Sequence, residues 1–243
     1  MAARPSPLVL ITRPEESARR IRQDLEAKGY ATLVEPMLTI ERLGSMARLS
    51  ENVQAIVLTS AHAVKALNAE AKELPVFAVG KATTEAAQVE GCAQVISGDG
   101  DGADLARLIG EQLRPEGGVI LHVAGEHVRD DLNRILEDQG FKIHREIVYR
   151  AHASTGLSKA VTQAWQAREI AAVLLFSPRT AEILVHLLIE HGLADHVDRT
   201  TAICVSESTA TPCRTLDWRT ICLAARPNRE ALIRALEGSI SVC

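Results

Sequence analysis

The feature that most constrains this chain is a regular alternation of short apolar runs with amphipathic stretches. Apolar runs of strand length recur along the 243 residues, for example at 8–12, 75–79 and 171–176. The stretches between them space their apolar residues as helices with one buried face do, and one of these helices is predicted over residues 61–71. Strands separated by helices pair in parallel, and the helices then cover both faces of the sheet. The pattern therefore predicts an α/β protein of the doubly wound class.

The number of strand-like runs predicts two sheets. About ten runs are present, which exceeds what one doubly wound sheet needs. The chain can cross between two lobes near Pro36 and again along the long run at 141–151. We expect these crossings to pair as a two-stranded connection, with linkers near 36–39 and 147–152. One lobe then comprises residues 1–36 and 152–243, with both termini, and the other comprises residues 39–147.

Composition and charge exclude several partner classes. The net charge of −4 is spread along the chain and aromatic residues make up 3%, which argues against a nucleic-acid surface. The apolar runs are too short to span a bilayer. Residues 1–10 lack the sustained apolar region of a signal peptide, and the five cysteines include no C-x-x-C. These observations predict a cytoplasmic protein with reduced thiols that binds neither nucleic acid nor membrane.

The turns that follow six predicted strands are alike, because each places a small or hydroxyl residue where a helix begins. Two interpretations compete. Such residues cap helices, which stabilises each helix by about 1 kcal/mol. Helix starts with free N–H groups also bind carboxylates or phosphates, and basic residues lie beside these turns. The candidate anion-binding residues are Thr12, Arg13, Ser60, Gly80, Lys81, Thr83, Gly125, Arg129, Ser177, Arg179, Ser206 and Thr209.

Two other patterns do not predict a cofactor site. The glycine-rich segment at 97–102 follows a strand, but Asp99 and Asp101 would repel a pyrophosphate, so a nucleotide site is not expected. His186, His191 and His196 recur at steps of five, which places them on different faces of a helix and predicts no metal site.

Tyr149 stands out on the predicted crossover strand, as one of two tyrosines in the chain. A phenol on that strand can be an amphipathic ring packed at an interface with a hydrated hydroxyl. It can also face a cleft and donate a proton. Spacing alone favours the packed ring.

Taken together, these segments resemble the uroporphyrinogen-III synthase family over nearly the whole chain. The resemblance lies in the order and spacing of many short segments. They are LITRP at 10–14, Pro36, VLTSA at 57–61, FAVGKAT at 77–83, GE at 125–126, VYR at 148–150, FSPR at 176–179, AICVS at 202–206 and ARPN at 225–228. One departure concerns the turn at 206–208, where Glu207 replaces a residue that is commonly glycine or proline, and Pro212 is expected to shorten the next helix.

The resemblance implies two flavodoxin-like lobes joined by a two-stranded linker, with a ligand cleft between them and no cofactor. A monomer is expected, because no predicted helix has an exposed apolar face that requires a partner. The implied reaction closes hydroxymethylbilane, a linear tetrapyrrole with eight carboxylates, to uroporphyrinogen III with inversion of ring D and loss of water. Tyr149 matches the family's tyrosine and would help the hydroxyl leave. Thr83, Ser60 and Ser177 would position the carboxylate arms. The alternative is a non-catalytic, two-lobed module that senses an anionic metabolite.

Overall fold

The computed structural model describes residues 6–46, 49, 52–98, 102–127 and 131–240. Contacts divide the chain into two units. Unit 1 comprises Met1–Thr39 and His152–Cys243, and unit 2 comprises Ile40–Ala151. Each unit holds one sheet, so the α/β class with two sheets is confirmed.

Strands and helices alternate along the described chain. The strands are β1 (Leu8–Ile11), β2 (Ala31–Val34), β3 (Leu38–Arg42), β4 (Val53–Leu58), β5 (Pro75–Val79), β6 (Gln94–Gly98), β7 (Val119–Gly125), β8 (Lys142–Ala153), β9 (Ile170–Leu175), β10 (Thr201–Cys204) and β11 (Thr220–Leu223). The α-helices are α1 (Glu15–Ala27), α2 (Ala61–Val64), α3 (Ala69–Lys72), α4 (Lys81–Val89), α5 (Gly102–Gln112), α6 (Asp131–Asp138), α7 (Lys159–Gln166), α8 (Pro178–Glu190), α9 (Glu207–Cys213) and α10 (Arg229–Ser239). Short 3-10 helices lie at Pro115–Gly117 and Ala194–His196.

Parallel pairing dominates both sheets. The sheet of unit 1 has the order β11-β10-β9-β1-β2, and its neighbouring strands are parallel. The second sheet has the order β3-β8-β7-β4-β5-β6, in which the pairs from β8 to β6 are parallel. All parallel strands of a sheet end at the same edge, so the turns that follow them lie there together.

The pairing of β3 with β8 confirms the predicted two-stranded connection. The backbone N–H of Leu43 donates to Val148 O, and that of Ser154 donates to Met37 O. One partner rises in residue number while the other falls, so these two strands run antiparallel.

Alternate residues of the central strands enter opposite core clusters. In β1, Leu10 packs with the cluster around Trp165, whereas Val9 and Ile11 pack with α1 and α10. In β4, Ile56 and Leu58 similarly face away from Ala55 and Val57. Both faces of each sheet are therefore buried, which explains the nearly continuous apolar runs.

The structure corrects the helix predicted over residues 61–71. Two short helices, α2 and α3, occupy this segment. The chain leaves the helical path at Ala66, whose carbonyl accepts a hydrogen bond from the Met46 N–H (2.8 Å). The Asn68 side chain then caps α3 by accepting from Ala71 N.

Throughout the described chain, no helix is long and apolar enough to cross a bilayer.

Two buried threonines of unit 1 give a matched test of the core. Thr12 Oγ1 donates to Leu174 O (2.7 Å), whereas the wholly buried Thr201 hydroxyl has no partner among the described residues. Valine replaces threonine with nearly the same shape. We expect Thr12→Val to destabilise the protein by about 1 kcal/mol, because a hydrogen bond is lost. We expect Thr201→Val to be neutral or stabilising, because an unpaired polar group is removed.

Urea unfolding followed by circular dichroism measures both changes. Equal shifts of the unfolding midpoint in the two variants would contradict this assignment of the two hydroxyl groups.

Candidate functional site

The hydroxyl groups at two helix starts of unit 1 are used for capping. Ser177 Oγ accepts from Thr180 N (3.2 Å) in a capping box, and Ser206 Oγ accepts from Thr209 N (3.4 Å). Arg179 is the second residue of α8. The capping interpretation therefore explains the side chains of Ser177 and Ser206, while their turns still lie at the carboxyl edge of the sheet.

Two predicted binding side chains of unit 1 are wholly buried. Thr12 is 0% exposed and its hydroxyl is bonded to Leu174 O across the sheet. Thr209 is also 0% exposed, and its Oγ1 lies 3.0 Å from Ser206 Oγ. Both side chains support the turns in this conformation and offer no surface to a ligand. The helix after Ser206, α9, has seven residues and contains Pro212.

Arg13 is a half-buried cation at the carboxyl edge of unit 1. Its guanidinium carbon lies 4.9 Å from the centre of the Phe176 ring. Burial, and then the positive charge of Arg229, lower the pKa of Arg13, which stays charged at neutral pH. Arg229 pairs with Asp24 (3.4 Å), whereas Arg13 has no ion pair or hydrogen bond within the described chain. A buried cation without a counter-ion favours the binding of an anion.

At the carboxyl edge of unit 2, the described starts of α2 and α4 differ in capping. Ser60 Oγ accepts from His62 N (3.3 Å) and caps α2. Gly80 begins α4 with a φ of +75° and no side-chain cap, a conformation that favours glycine. Lys81 is the exposed first residue of α4, and Thr83, 5% exposed, lies in its first turn. Among the described residues, no side chain caps the start of α4.

The Tyr149 ring is fixed inside the core of unit 2. A Cβ on Gly125 would lie 2.5 Å from Tyr149 Cζ and 2.8 Å from its hydroxyl oxygen, so this glycine is required for the packing. The ring of His62 meets it edge to face, with centroids 5.8 Å apart. Tyr149 is 9% exposed. Among the described residues its hydroxyl has no hydrogen-bond partner, and it is not one of the fully buried polar atoms, so it reaches solvent.

Two arginines form hydrogen bonds to the turn at Gly125 and Glu126, next to Tyr149. Arg145 donates to the carbonyl oxygens of Gly125 (2.6 Å) and Glu126. Arg150 Nε donates to Glu126 Oε1 (3.1 Å), and Glu126 N donates to Tyr149 O (3.0 Å). The turn and the tyrosine strand are thereby bonded as one piece.

A polar network that the sequence interpretation missed lies beside this edge. His122 Nε2 is 3.2 Å from Thr59 Oγ1, and His122 Nδ1 is 2.8 Å from Asn133 Oδ1. The sequence signal was a histidine inside the apolar run of β7. Phe176, which supports Arg13, was likewise not predicted as a site residue.

The predicted residues thus form separate groups at the edges of the two sheets. Ser60, Gly80, Lys81, Thr83, Gly125 and Tyr149 belong to unit 2, and Thr12, Arg13, Ser177, Arg179, Ser206 and Thr209 belong to unit 1. Arg129 lies outside the described residues. Within the described chain, no group of three or more His, Cys, Asp or Glu side chains could hold a metal ion.

Comparisons with known proteins give the fold and the family. A uroporphyrinogen-III synthase family model matches residues 19–234. The uroporphyrinogen-III synthetase of Helicobacter pylori is similar in structure, with a TM-score of 0.64, 15% identity and coverage of 95% of this chain and 98% of that one. A substituted uroporphyrinogen III synthase of the thermophilic bacterium Thermus thermophilus has a TM-score of 0.54, 17% identity and coverage of 96% and 100%.

No curated protein sequence matches the chain significantly. The two structures are too distant in sequence to show more than the fold, which agrees with the two-sheet architecture. The family model spans most of the chain, including every described strand except β1. On that match, the chain belongs to the uroporphyrinogen-III synthase family.

Proposed function

We propose that this chain cyclises hydroxymethylbilane to uroporphyrinogen III, with inversion of ring D and loss of water. The match to the family model over residues 19–234 carries this proposal, because the family comprises cyclising lyases that act on a tetrapyrrole. It does not favour the alternative of a non-catalytic sensor for an anionic metabolite. The expectation of a monomer in the cytoplasm stays a prediction.

Tyr149 is the proposed proton donor. Its hydroxyl donates a proton to the hydroxyl on ring A, the carbon–oxygen bond breaks with its electron pair going to oxygen, and water leaves. The azafulvene cation that remains is attacked by the substituted carbon of ring D, which forms a spiro intermediate. This intermediate fragments and recloses, and the proton released when the pyrrole regains aromaticity returns to the phenolate. The substrate undergoes no net oxidation or reduction, so the reaction requires no redox cofactor.

The geometry around Tyr149 supports this role. Its ring is fixed by Gly125 and His62, while its hydroxyl reaches solvent and has no hydrogen-bond partner in the described chain. A donor that is already bonded inside the protein would have to break that bond before it could protonate a ligand. In the described chain, the Tyr149 hydroxyl has no such hydrogen bond to break before it donates its proton.

Positioning of the substrate accounts for the inversion. Without assistance the linear molecule closes without inverting ring D, so the enzyme must favour the other attack by holding the chain in a particular geometry. The carboxylates of the substrate are the groups through which the protein can hold it in that geometry. In the described chain, Arg13 has no ion pair and no side chain caps the start of α4 at Gly80, so these are the donors best suited to bind them.

Purified protein supplied with hydroxymethylbilane tests the activity and the role of Tyr149 together. We expect the unsubstituted chain to form uroporphyrinogen III faster than isomer I forms spontaneously. Tyr149→Phe should lower kcat roughly tenfold or more, because the proton donor is removed while the ring packing stays. Isomer I alone, formed at the spontaneous rate by the unsubstituted chain, would instead favour the sensor.

Tyr30→Phe is the matched control, since Tyr30 is the other tyrosine. Its hydroxyl donates to Ile240 O (3.0 Å) in unit 1, where a structural bond is lost. Its turnover should equal that of the unsubstituted chain. An unchanged kcat in Tyr149→Phe would remove Tyr149 from the mechanism.

Arg13→Gln tests the carboxylate site of unit 1. Loss of the unpaired guanidinium should raise KM roughly tenfold or more, because a charge-assisted contact disappears. Added salt should then affect KM less than in the unsubstituted chain. Arg19→Gln, an exposed position on α1, removes the same charge and is the control. Equal KM values in the two variants would show that Arg13 does not bind substrate.

A further inference from the structure

A buried histidine interrupts the apolar strand β7. His122 is 0% exposed, and its neighbours Leu121 and Val123 belong to the core of unit 2. Burying an imidazole costs free energy unless its nitrogens form hydrogen bonds. Both nitrogens have partners, with Nε2 3.2 Å from Thr59 Oγ1 and Nδ1 2.8 Å from Asn133 Oδ1.

These contacts define the direction of each hydrogen bond. The side-chain oxygen of Asn133 can only accept, so Nδ1 of His122 carries the proton. We take the buried imidazole as neutral, so that it has one N–H and Nε2 is an acceptor. The Thr59 hydroxyl therefore donates its single proton to Nε2. Only the lone pairs of Thr59 Oγ1 remain for another group.

Thr59 stands where a ligand of unit 2 would meet it. It directly follows β4 at the carboxyl edge of the sheet, and it is partly exposed. The hydroxyl of the next residue, Ser60, caps α2. In the described chain, Thr59 Oγ1 makes no hydrogen bond besides the one to His122.

Stability alone does not explain the network. Replacing both partners of a buried hydrogen bond with apolar groups of the same shape is often neutral or stabilising. The network instead gives one hydroxyl group a single orientation at the sheet edge. A fixed orientation matters when a ligand donates a hydrogen bond to the lone pairs of this hydroxyl.

We infer that His122 and Asn133 hold the Thr59 hydroxyl as a hydrogen-bond acceptor for a pyrrole N–H of the substrate. The inference rests on the proposed function. Ionised carboxylates have no proton to donate, and the lone pairs of Thr59 repel them. The ring-A hydroxyl is assigned to Tyr149, so the pyrrole N–H groups are the remaining donors. Thr59 is then a binding residue, and His122 and Asn133 are positioning residues.

Nuclear magnetic resonance of the ¹⁵N-labelled full chain tests the direction of the bonds. We expect His122 to be the neutral tautomer with a protonated Nδ1 and an unprotonated Nε2, with its signals identified by their shift in Asn133→Ala. A proton on Nε2 would make Thr59 a donor, suited to a carboxylate, and would overturn the inference.

Kinetics with hydroxymethylbilane tests the role in binding. Thr59→Val should raise KM about 3- to 10-fold with little change in kcat, because one hydrogen bond to substrate is lost. Thr59→Ser keeps the hydroxyl and should restore KM. Thr162→Val removes a hydroxyl that bonds to Ser158 O on α7 of unit 1, and this control should leave KM unchanged.

Asn133→Ala separates positioning from general support of the fold. It should also raise KM, since His122 is no longer held in one tautomer. In the presence of Thr59→Val it should add no further loss, because both changes act through the same hydroxyl. An unchanged KM in Thr59→Val, or additive effects in the double variant, would overturn the inference.

The failure of this inference differs from the failure of the proposed function. If the unsubstituted chain forms uroporphyrinogen III but Thr59→Val keeps its KM, only the inference is wrong. If the unsubstituted chain forms no uroporphyrinogen III, the proposed function is wrong. The inferred contact with a pyrrole N–H is then wrong as well.

Discussion

Parallel strand pairing is the constraint on which the rest of this protein depends. Because parallel strands end at the same edge of a sheet, the strand-to-helix turns of each unit lie side by side at that edge. Most hydroxyl groups at these edges serve the fold: Ser60, Ser177 and Ser206 cap helices, and Thr12 bonds to a neighbouring strand. Each such bond stabilises the fold by about 1 kcal/mol. Few groups at these edges are therefore left to bind a ligand, so their chemistry indicates which kind of ligand fits.

Those remaining groups differ in chemistry. Arg13 offers a positive charge, the α4 start at Gly80 offers backbone donors, and Tyr149 offers a proton. Tyr149 depends on Gly125, since any side chain there would occupy the space of its ring. The ring is thus positioned by packing alone, while its hydroxyl is left free. Each of these kinds of group suits a feature of a substrate that carries several carboxylates and one leaving hydroxyl group.

Much of the fold was predictable because apolar periodicity is a local signal. The strands at 8–12, 75–79 and 171–176 lie within one residue of their predicted ends, because buried parallel strands must be apolar on both faces. The helix predicted at 61–71 failed because the Met46–Ala66 bond joins residues distant in sequence. The site was less predictable for the same reason. Sequence shows a serine at a turn, but not whether its hydroxyl caps the helix, and it shows His122 without its partners Thr59 and Asn133.

The Tyr149 hydroxyl, which has no hydrogen-bond partner in the described chain, is the group proposed to bind the tetrapyrrole. The Tyr30→Phe chain leaves Tyr149 as the only tyrosine, so a ¹³C label at the tyrosine Cζ reports on this residue alone. The measurement is the Cζ resonance with and without uroporphyrinogen III, kept reduced, with binding followed separately by calorimetry. A changed Cζ shift at saturation is the predicted result, because a new hydrogen bond alters the phenol carbon. An unchanged shift in a chain that binds the tetrapyrrole would contradict the account.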